Sequence, residues 1–177
     1  MRRFFGLLCL VAATASLQAQ TIKNSNSVIL DDARDSFTTV MKMIIQSGDR
    51  MPEEKYNFKP TPAVRSFGEI LGHVADANYI FCGGAKGDNN EPNNEKNAHT
   101  KAQLLAALRR SNAYCDSVLN TTDDSNMGQV VKFGGSNHSR LGILEMGIEH
   151  ANEHYGNIVT YLRLNNLVPP SSDTGNR

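Results

Sequence analysis

Glu149-His150-Ala151-Asn152-Glu153-His154-Tyr155-Gly156-Asn157 lies within the longest uninterrupted helical pattern of the chain, roughly Ser139 to Leu164. His150 and His154 are four residues apart, which on an α-helix stacks their side chains on one face, about one turn from each other. Two imidazoles so placed can grip one metal ion. The same face carries Ile143, Gly147, Ile158 and Tyr161, so the pair points toward a core. One more histidine on another buried helix face would complete a three-ligand set, and His73 is the candidate. A hydrogen-bonded pair without metal has the same spacing, so the rest of the chain has to separate the two readings.

Three further helical patterns precede this one. From about Ser27 to Ser47, Leu30, Ala33, Phe37, Val40, Met41, Ile44 and Ile45 recur at helical spacing, with Asp31 and Asp32 expected in the first turn and Gly48 as a stop. Ser66-Phe67-Gly68-Glu69 has the spacing of a capping box, which satisfies backbone N–H groups that a helix start leaves orphaned. A helix follows to about Phe81 or Gly83, its inner face carrying Phe67, Ile70, Leu71, Val74, Ala77, Asn78 and Phe81 and bordered by His73. Glu69 and Asp76 stand about one turn from His73, as solvated flanks or as supporting partners of a metal ligand, in company with Glu153. Thr100-Lys101-Ala102-Gln103 is a second capping-box spacing and opens a helix to about Leu119. The last helix, from Ser139, ends near Asn165-Asn166, and Pro169-Pro170 forbid its continuation.

The connections are unequal. Met51 to Pro62 contains Pro52, Pro60 and Pro62, so it runs extended, tucking Tyr56 and Phe58 against the helices. Gly83 to His99 is long for a link inside a compact domain and suits a crossover that brings the third helix back parallel to the second. Asn120 to His138 is a second polar loop, with Val130 to Phe133 as a short extended piece before Gly134-Gly135. Four amphipathic helices and no convincing sheet predict an all-α fold, a four-helix bundle over residues 27–170, whose facing helices commonly build metal sites. Residues 171–177 read as a disordered tail.

With 177 residues the chain has room for one domain with a sizeable core. Its 18 basic and 18 acidic side chains cancel, and no aromatic residues interleave with basic ones, so nothing suggests a nucleic-acid surface or a polybasic membrane patch. Arg2 and Arg3 ahead of the apolar run Phe4 to Ala13 read as a secretory signal peptide, residues 1–19, followed by a mobile lead-in, residues 20–26. The run is too short for stable membrane insertion, and cleavage fits after Ala15 or Ala19. The expected location is therefore outside the cytosol, in the periplasm of a Gram-negative host. Export leaves Cys82 and Cys115, an even count that permits one disulfide in an oxidising compartment. Cys82 falls about sixteen residues beyond the Ser66 cap and Cys115 about fifteen beyond the Thr100 cap. They stand at similar heights if the two helices run parallel. Two inert buried thiols are the alternative.

Met51-Pro52-Glu53-Glu54-Lys55-Tyr56-Asn57-Phe58-Lys59-Pro60, Ser66-Phe67-Gly68-Glu69-Ile70-Leu71-Gly72-His73-Val74-Ala75-Asp76, the His150 to Asn157 stretch and Tyr161 to Pro170, in that order and spacing, resemble the DinB superfamily of DinB/YfiT-like metalloenzymes. The resemblance covers about residues 27 to 171. It implies an up-down-down-up bundle and a divalent metal held by one histidine from the second helix and two from the fourth, here His73, His150 and His154. Zinc or nickel are the ions it suggests first. Some relatives are transferases or isomerases using low-molecular-weight thiols. Export departs from those cytosolic enzymes, and a reduced thiol cosubstrate is scarcer outside the cytosol.

Three imidazoles leave a fourth position open, the arrangement of a catalytic rather than a structural zinc site. A metal-dependent hydrolase or transferase acting on a small molecule follows, with Glu149 and Glu153 as oblique candidates for a general base and Tyr155 and Asn157 as candidates for substrate contact. The alternative is a non-catalytic metal-binding or stress-related bundle. His150-Ala151-Asn152-Glu153-His154 also spells the H-x-x-E-H pattern of a peptidase class, but that class needs a downstream glutamate and no Glu follows Glu153. His99 and His138 fall in polar segments and read as solvated. The resemblance also allows a homodimer through helix faces.

Overall fold

A computed structural model describes residues 25–88, 94–173 and 175. The expected signal peptide and most of the expected lead-in lie outside the described residues. Five helices follow in order: α1 (Ser25–Arg50), α2 (Phe67–Lys86), the single turn α3 (Asn94–Asn97), α4 (Lys101–Asn120) and α5 (Arg140–Leu164). A two-stranded hairpin, β1 (Val130–Phe133) and β2 (Ser136–Ser139), precedes α5.

Contacts between the four long helices determine their directions. Asp49 near the end of α1 pairs with Arg109 on α4, while Arg34 near its start donates to the carbonyls of Leu119 in the last turn of α4 and of Thr122 just beyond it. These two helices are antiparallel. Gly68 packs near Leu104, Asn78 donates to Ser111 and Cys82 bonds to Cys115, so α2 and α4 run parallel in matched register. The Tyr161 hydroxyl near the end of α5 donates to the Arg65 carbonyl just before α2, whereas Gly147 near the start of α5 meets Phe81 near the end of α2. That makes α2 and α5 antiparallel and the bundle up-down-down-up. The crossover between α2 and α4 carries the short turn α3, and Lys101 at the start of α4 donates to the Asp49 and Met51 carbonyls at the end of α1. A cation there offsets the negative end of the α1 dipole.

The apolar spacing sorts the core as expected. Leu30, Phe37, Val40, Met41 and Ile44 of α1, Phe67, Leu71 and Val74 of α2, Leu104 and Leu108 of α4, and Ile143, Ile158 and Leu162 of α5 are all buried. Both capping boxes form: Ser66 Oγ accepts from Glu69 N–H while Glu69 accepts from Ser66 N–H, and Thr100 and Gln103 exchange the same pair of bonds. Tyr56 is buried and donates to the Gly48 carbonyl, and half-buried Phe58 stands edge-on to Tyr161. The proline-rich segment thus lies over the bundle, though Glu53–Lys55 form one 3-10 turn rather than extended chain.

Several expectations are corrected. Gly48 does not stop α1, which continues to Arg50. A Cβ at Gly48 would meet Leu105 Cδ2 at 2.8 Å, so the glycine serves the close approach of α4. The helix begins at Ser25, inside the stretch read as lead-in, and Asp31 therefore sits beyond the first turn, where it pairs with Arg34. Val130 to Phe133 has a partner strand: Val130 pairs with Ser139 and Phe133 with Ser136 across Gly134-Gly135. Both glycines have positive φ, 57° and 85°, as a two-residue hairpin turn that matches strand twist requires. Residues read as a disordered tail begin with a docked 3-10 turn, Pro170–Ser172. Ser171 N–H donates to the Tyr155 hydroxyl, and Asp173 pairs with Arg50 at 2.7 Å.

Candidate metal centre

His73 leaves α2 a little under two turns below its N-cap, and His150 and His154 leave α5 on the face turned toward it. Antiparallel packing of α2 and α5 brings the three rings together. His73 Nε2 lies 3.1 Å from His150 Nε2, and His154 Nε2 lies 3.1 Å from the same atom. Their potential ligand atoms all fall within 4.8 Å of one another. Two neighbours make this convergence possible. Gly147, one turn before His150, lets Phe81 come within 3.0 Å of where a Cβ would stand, and the Phe81 ring backs His150 at 5.5 Å. Buried Ile143 and Ile158 extend the same face of α5 along the bundle axis on either side of the pair.

The protons available do not satisfy such a cluster well. Both short contacts end on one atom, His150 Nε2. In a neutral imidazole that nitrogen carries either a proton or a lone pair, so it cannot donate to one neighbour and accept from the other. Charging the rings is unfavourable. Burial, reinforced by the other two histidines and by Arg65, pushes His154 down to about 4. Burial and His73 likewise lower His150, against a smaller opposing pull from Glu153. Neutral imidazoles with converging nitrogens are the form in which histidine binds metals. A tetrahedral ion about 2.0–2.1 Å from each nitrogen would hold them roughly 3.3 Å apart, close to the two 3.1 Å separations that meet at His150, with the third ligand atom within 4.8 Å. One feature fits less well: His154 Nδ1 is buried with no hydrogen-bond partner, where a ligating imidazole ordinarily donates its second N–H.

No carboxylate belongs to the group among the described residues. Glu69 closes the α2 capping box and pairs with Lys59 at 3.0 Å; the Ser66 N–H and then Lys59 hold its carboxyl below the usual range. Asp76 accepts from both the backbone and side-chain nitrogens of Asn94 at 2.8 Å, tying α3 to α2. Both expected supporting acids thus have structural duties. Glu153 is exposed and lines a cleft of about 420 Å³ whose wall also includes Val64, Arg65, Ile70, His154, Asn157 and Tyr161. Asn157 therefore faces the space through which His154 is reached, whereas Tyr155 is buried and holds Ser171. Arg65 was invisible to the reading of helix faces because it lies just before the cap, in a segment without periodicity. The nearest available signal was its place next to the Ser66 capping box.

Cys82 and Cys115 form a disulfide between α2 and α4, with Cα atoms 5.4 Å apart, adjoining Phe81 but on the opposite side of α2 from the histidines. His99 is exposed ahead of α4, and half-buried His138 lies on β2 beside Phe133. Neither joins the cluster.

Residues 30–158 match the family model of the DinB superfamily. No curated protein matches the chain. Among solved structures, a DinB-like protein from Bacillus cereus ATCC 10987 superimposes with a TM-score of 0.70 at 18% identity, covering 79% of this chain and 95% of its own. A DinB-like protein from Bacillus subtilis gives 0.63 at 14% identity, covering 76% and 92%. A conserved protein from Enterococcus faecalis gives 0.62 at 16% identity, covering 76% and 95%. At these identities the likeness is one of fold.

Proposed function

The chain belongs to the DinB superfamily, and from that premise we propose that His73, His150 and His154 hold one divalent metal ion at the head of the cleft. The observation that carries this reading is the pair of 3.1 Å contacts meeting at His150 Nε2, an arrangement that a shared cation satisfies better than protons do. Zinc or nickel is the ion proposed first, although imidazole also suits copper and iron and availability decides much of the choice. A bound ion of this kind supplies Lewis acidity or an activated water. The protein's own residues do the rest. His150 and His154, kept neutral by burial, present their lone pairs. Asn157 and Glu153 offer a hydrogen bond and a proton acceptor in the cleft. The reaction class is hydrolysis or group transfer on a small molecule.

Location outside the cytosol belongs to the same proposal. It is supported by the Arg2-Arg3 and Phe4–Ala13 pattern and by a buried disulfide, which persists in oxidising compartments. No helix among the described residues is long and apolar enough to cross a membrane.

The test is metal content by elemental mass spectrometry on untagged protein, beside the His150→Ala/His154→Ala double variant. About one equivalent in the wild type, lost in the variant, is the expected result. No metal in either after zinc, nickel, iron and manganese have been offered would remove the metalloenzyme reading.

A further inference from the structure

We infer that the cleft beside His154 takes a small carboxylate with an apolar tail, and that Arg65 is the residue that binds its charge. The inference rests on the metal reading above for the charge balance of the cleft. Arg65 and Glu153 are the charged side chains on the wall and cancel each other. A divalent ion on the histidines makes the sum positive, so the loaded cleft favours an anion. Arg65 starts from a fixed point: its carbonyl accepts a 2.6 Å bond from Tyr161 and the next residue is the α2 N-cap. Arg65 and His154 line the same cleft. A planar guanidinium matches the two oxygens of a carboxylate better than it matches a single charged atom. The opposite requirement, an apolar surface for the remainder of the ligand, is met by Ile70, Val64 and the Tyr161 ring. Asn157 on the same wall offers a neutral hydrogen bond.

The probe is benzoate, with benzamide as its uncharged isostere. Each is titrated calorimetrically into zinc-treated and chelator-treated wild type, Arg65→Gln, Arg65→Lys and Glu153→Gln, with bound zinc counted in each sample. Benzoate should bind zinc-treated wild type more tightly than benzamide does. Arg65→Gln should weaken benzoate by about three- to ten-fold without losing zinc, since Arg65 is exposed and screened. Arg65→Lys should restore part of the loss, and Glu153→Gln should tighten binding by about two- to five-fold. Opposite effects of two exposed substitutions are not produced by general damage to the fold. Equal benzoate affinity in wild type and Arg65→Gln, with zinc bound, overturns the inference and leaves the metal reading standing. Benzoate binding no better than benzamide also overturns it. Arg65-dependent benzoate binding in a wild type that takes up no zinc upholds the cleft assignment and removes the metal reading.

Discussion

Breaking the Cys82–Cys115 bond should cost this bundle a large part of its stability. The bond links the parallel helices α2 and α4 across a sequence separation of 33 residues. In the chain-entropy treatment, a closed loop of that length removes roughly 12 cal/mol/K from the unfolded chain, or about 3–4 kcal/mol at 25 °C. Both cysteines are buried, at 4% and 0% exposure, so reduction leaves two thiols in an otherwise unchanged core. With a urea m-value near ~2 kcal/mol/M, the unfolding midpoint should fall by somewhat under ~2 M. Urea titrations of the oxidised protein, of the reduced protein under a sustained reductant, and of the Cys82→Ala/Cys115→Ala variant measure this. The variant should fall slightly below the reduced protein because it also loses buried sulfur. Coincident midpoints for oxidised and reduced protein would refute the reasoning, since loop closure acts on the unfolded state whatever the native packing. Free thiols in protein recovered from an oxidising compartment would refute the bond itself.

Acid should destabilise the metal-free protein through His154. Its pKa is about 4 when folded against 6.5 as the ordinary value, so between those limits the unfolded chain binds the extra proton and stability falls as pH drops. Solvent in the adjoining cleft screens the effect to about 1–2 kcal/mol; His154→Leu should flatten the urea-midpoint profile from pH 6.5 to 4, and an equally steep loss in that variant contradicts the assignment. A Cβ at Gly84 would stand 2.5 Å from Phe133 Cδ2, so Gly84→Ala should cost about 1 kcal/mol through displacement of the hairpin ring. In a Phe133→Ala background the same change should stabilise by about 0.5–1 kcal/mol through helix propensity; chemical denaturation showing the same sign in both backgrounds would sink the contact. Ser66→Ala should cost about 1 kcal/mol by removing the acceptor for the Glu69 N–H, and a thermal midpoint unchanged within error would show the cap to be redundant.

The four long helices were legible because their signals are local. Ser66 with Glu69 and Thr100 with Gln103 satisfy neighbouring backbone groups, and Pro169-Pro170 stop a helix wherever it packs. Periodicity placed Phe37, Met41, Leu71, Leu108 and Ile158 in the core for the same reason, since a helical repeat fixes which side chains share a face before anything packs on it. The His150/His154 pair could be read in this way because both residues lie on one helix. Elsewhere the local signal was ambiguous. Gly48 has the look of a helix stop, but the close approach of Leu105 explains it. Gly134-Gly135 marked a turn, but Ser136 to Ser139 is too polar to announce a strand without its partner.

Sequence alone thus determined the four long helices, the capping boxes at Ser66 and Thr100, the faces the helices bury and one edge of the candidate centre. Tertiary structure decided the rest: that His73 arrives within 3.1 Å of His150, that Cys82 meets Cys115, that Asp76 holds Asn94 and Glu69 holds Lys59, and that Arg65 lines the cleft. The physical reason is one of range. Hydrogen bonds along a helix and the burial of its apolar stripe depend on residues three or four apart. The contacts that make a site join residues separated by 77 positions, as His73 and His150 are, and those depend on helix direction and register.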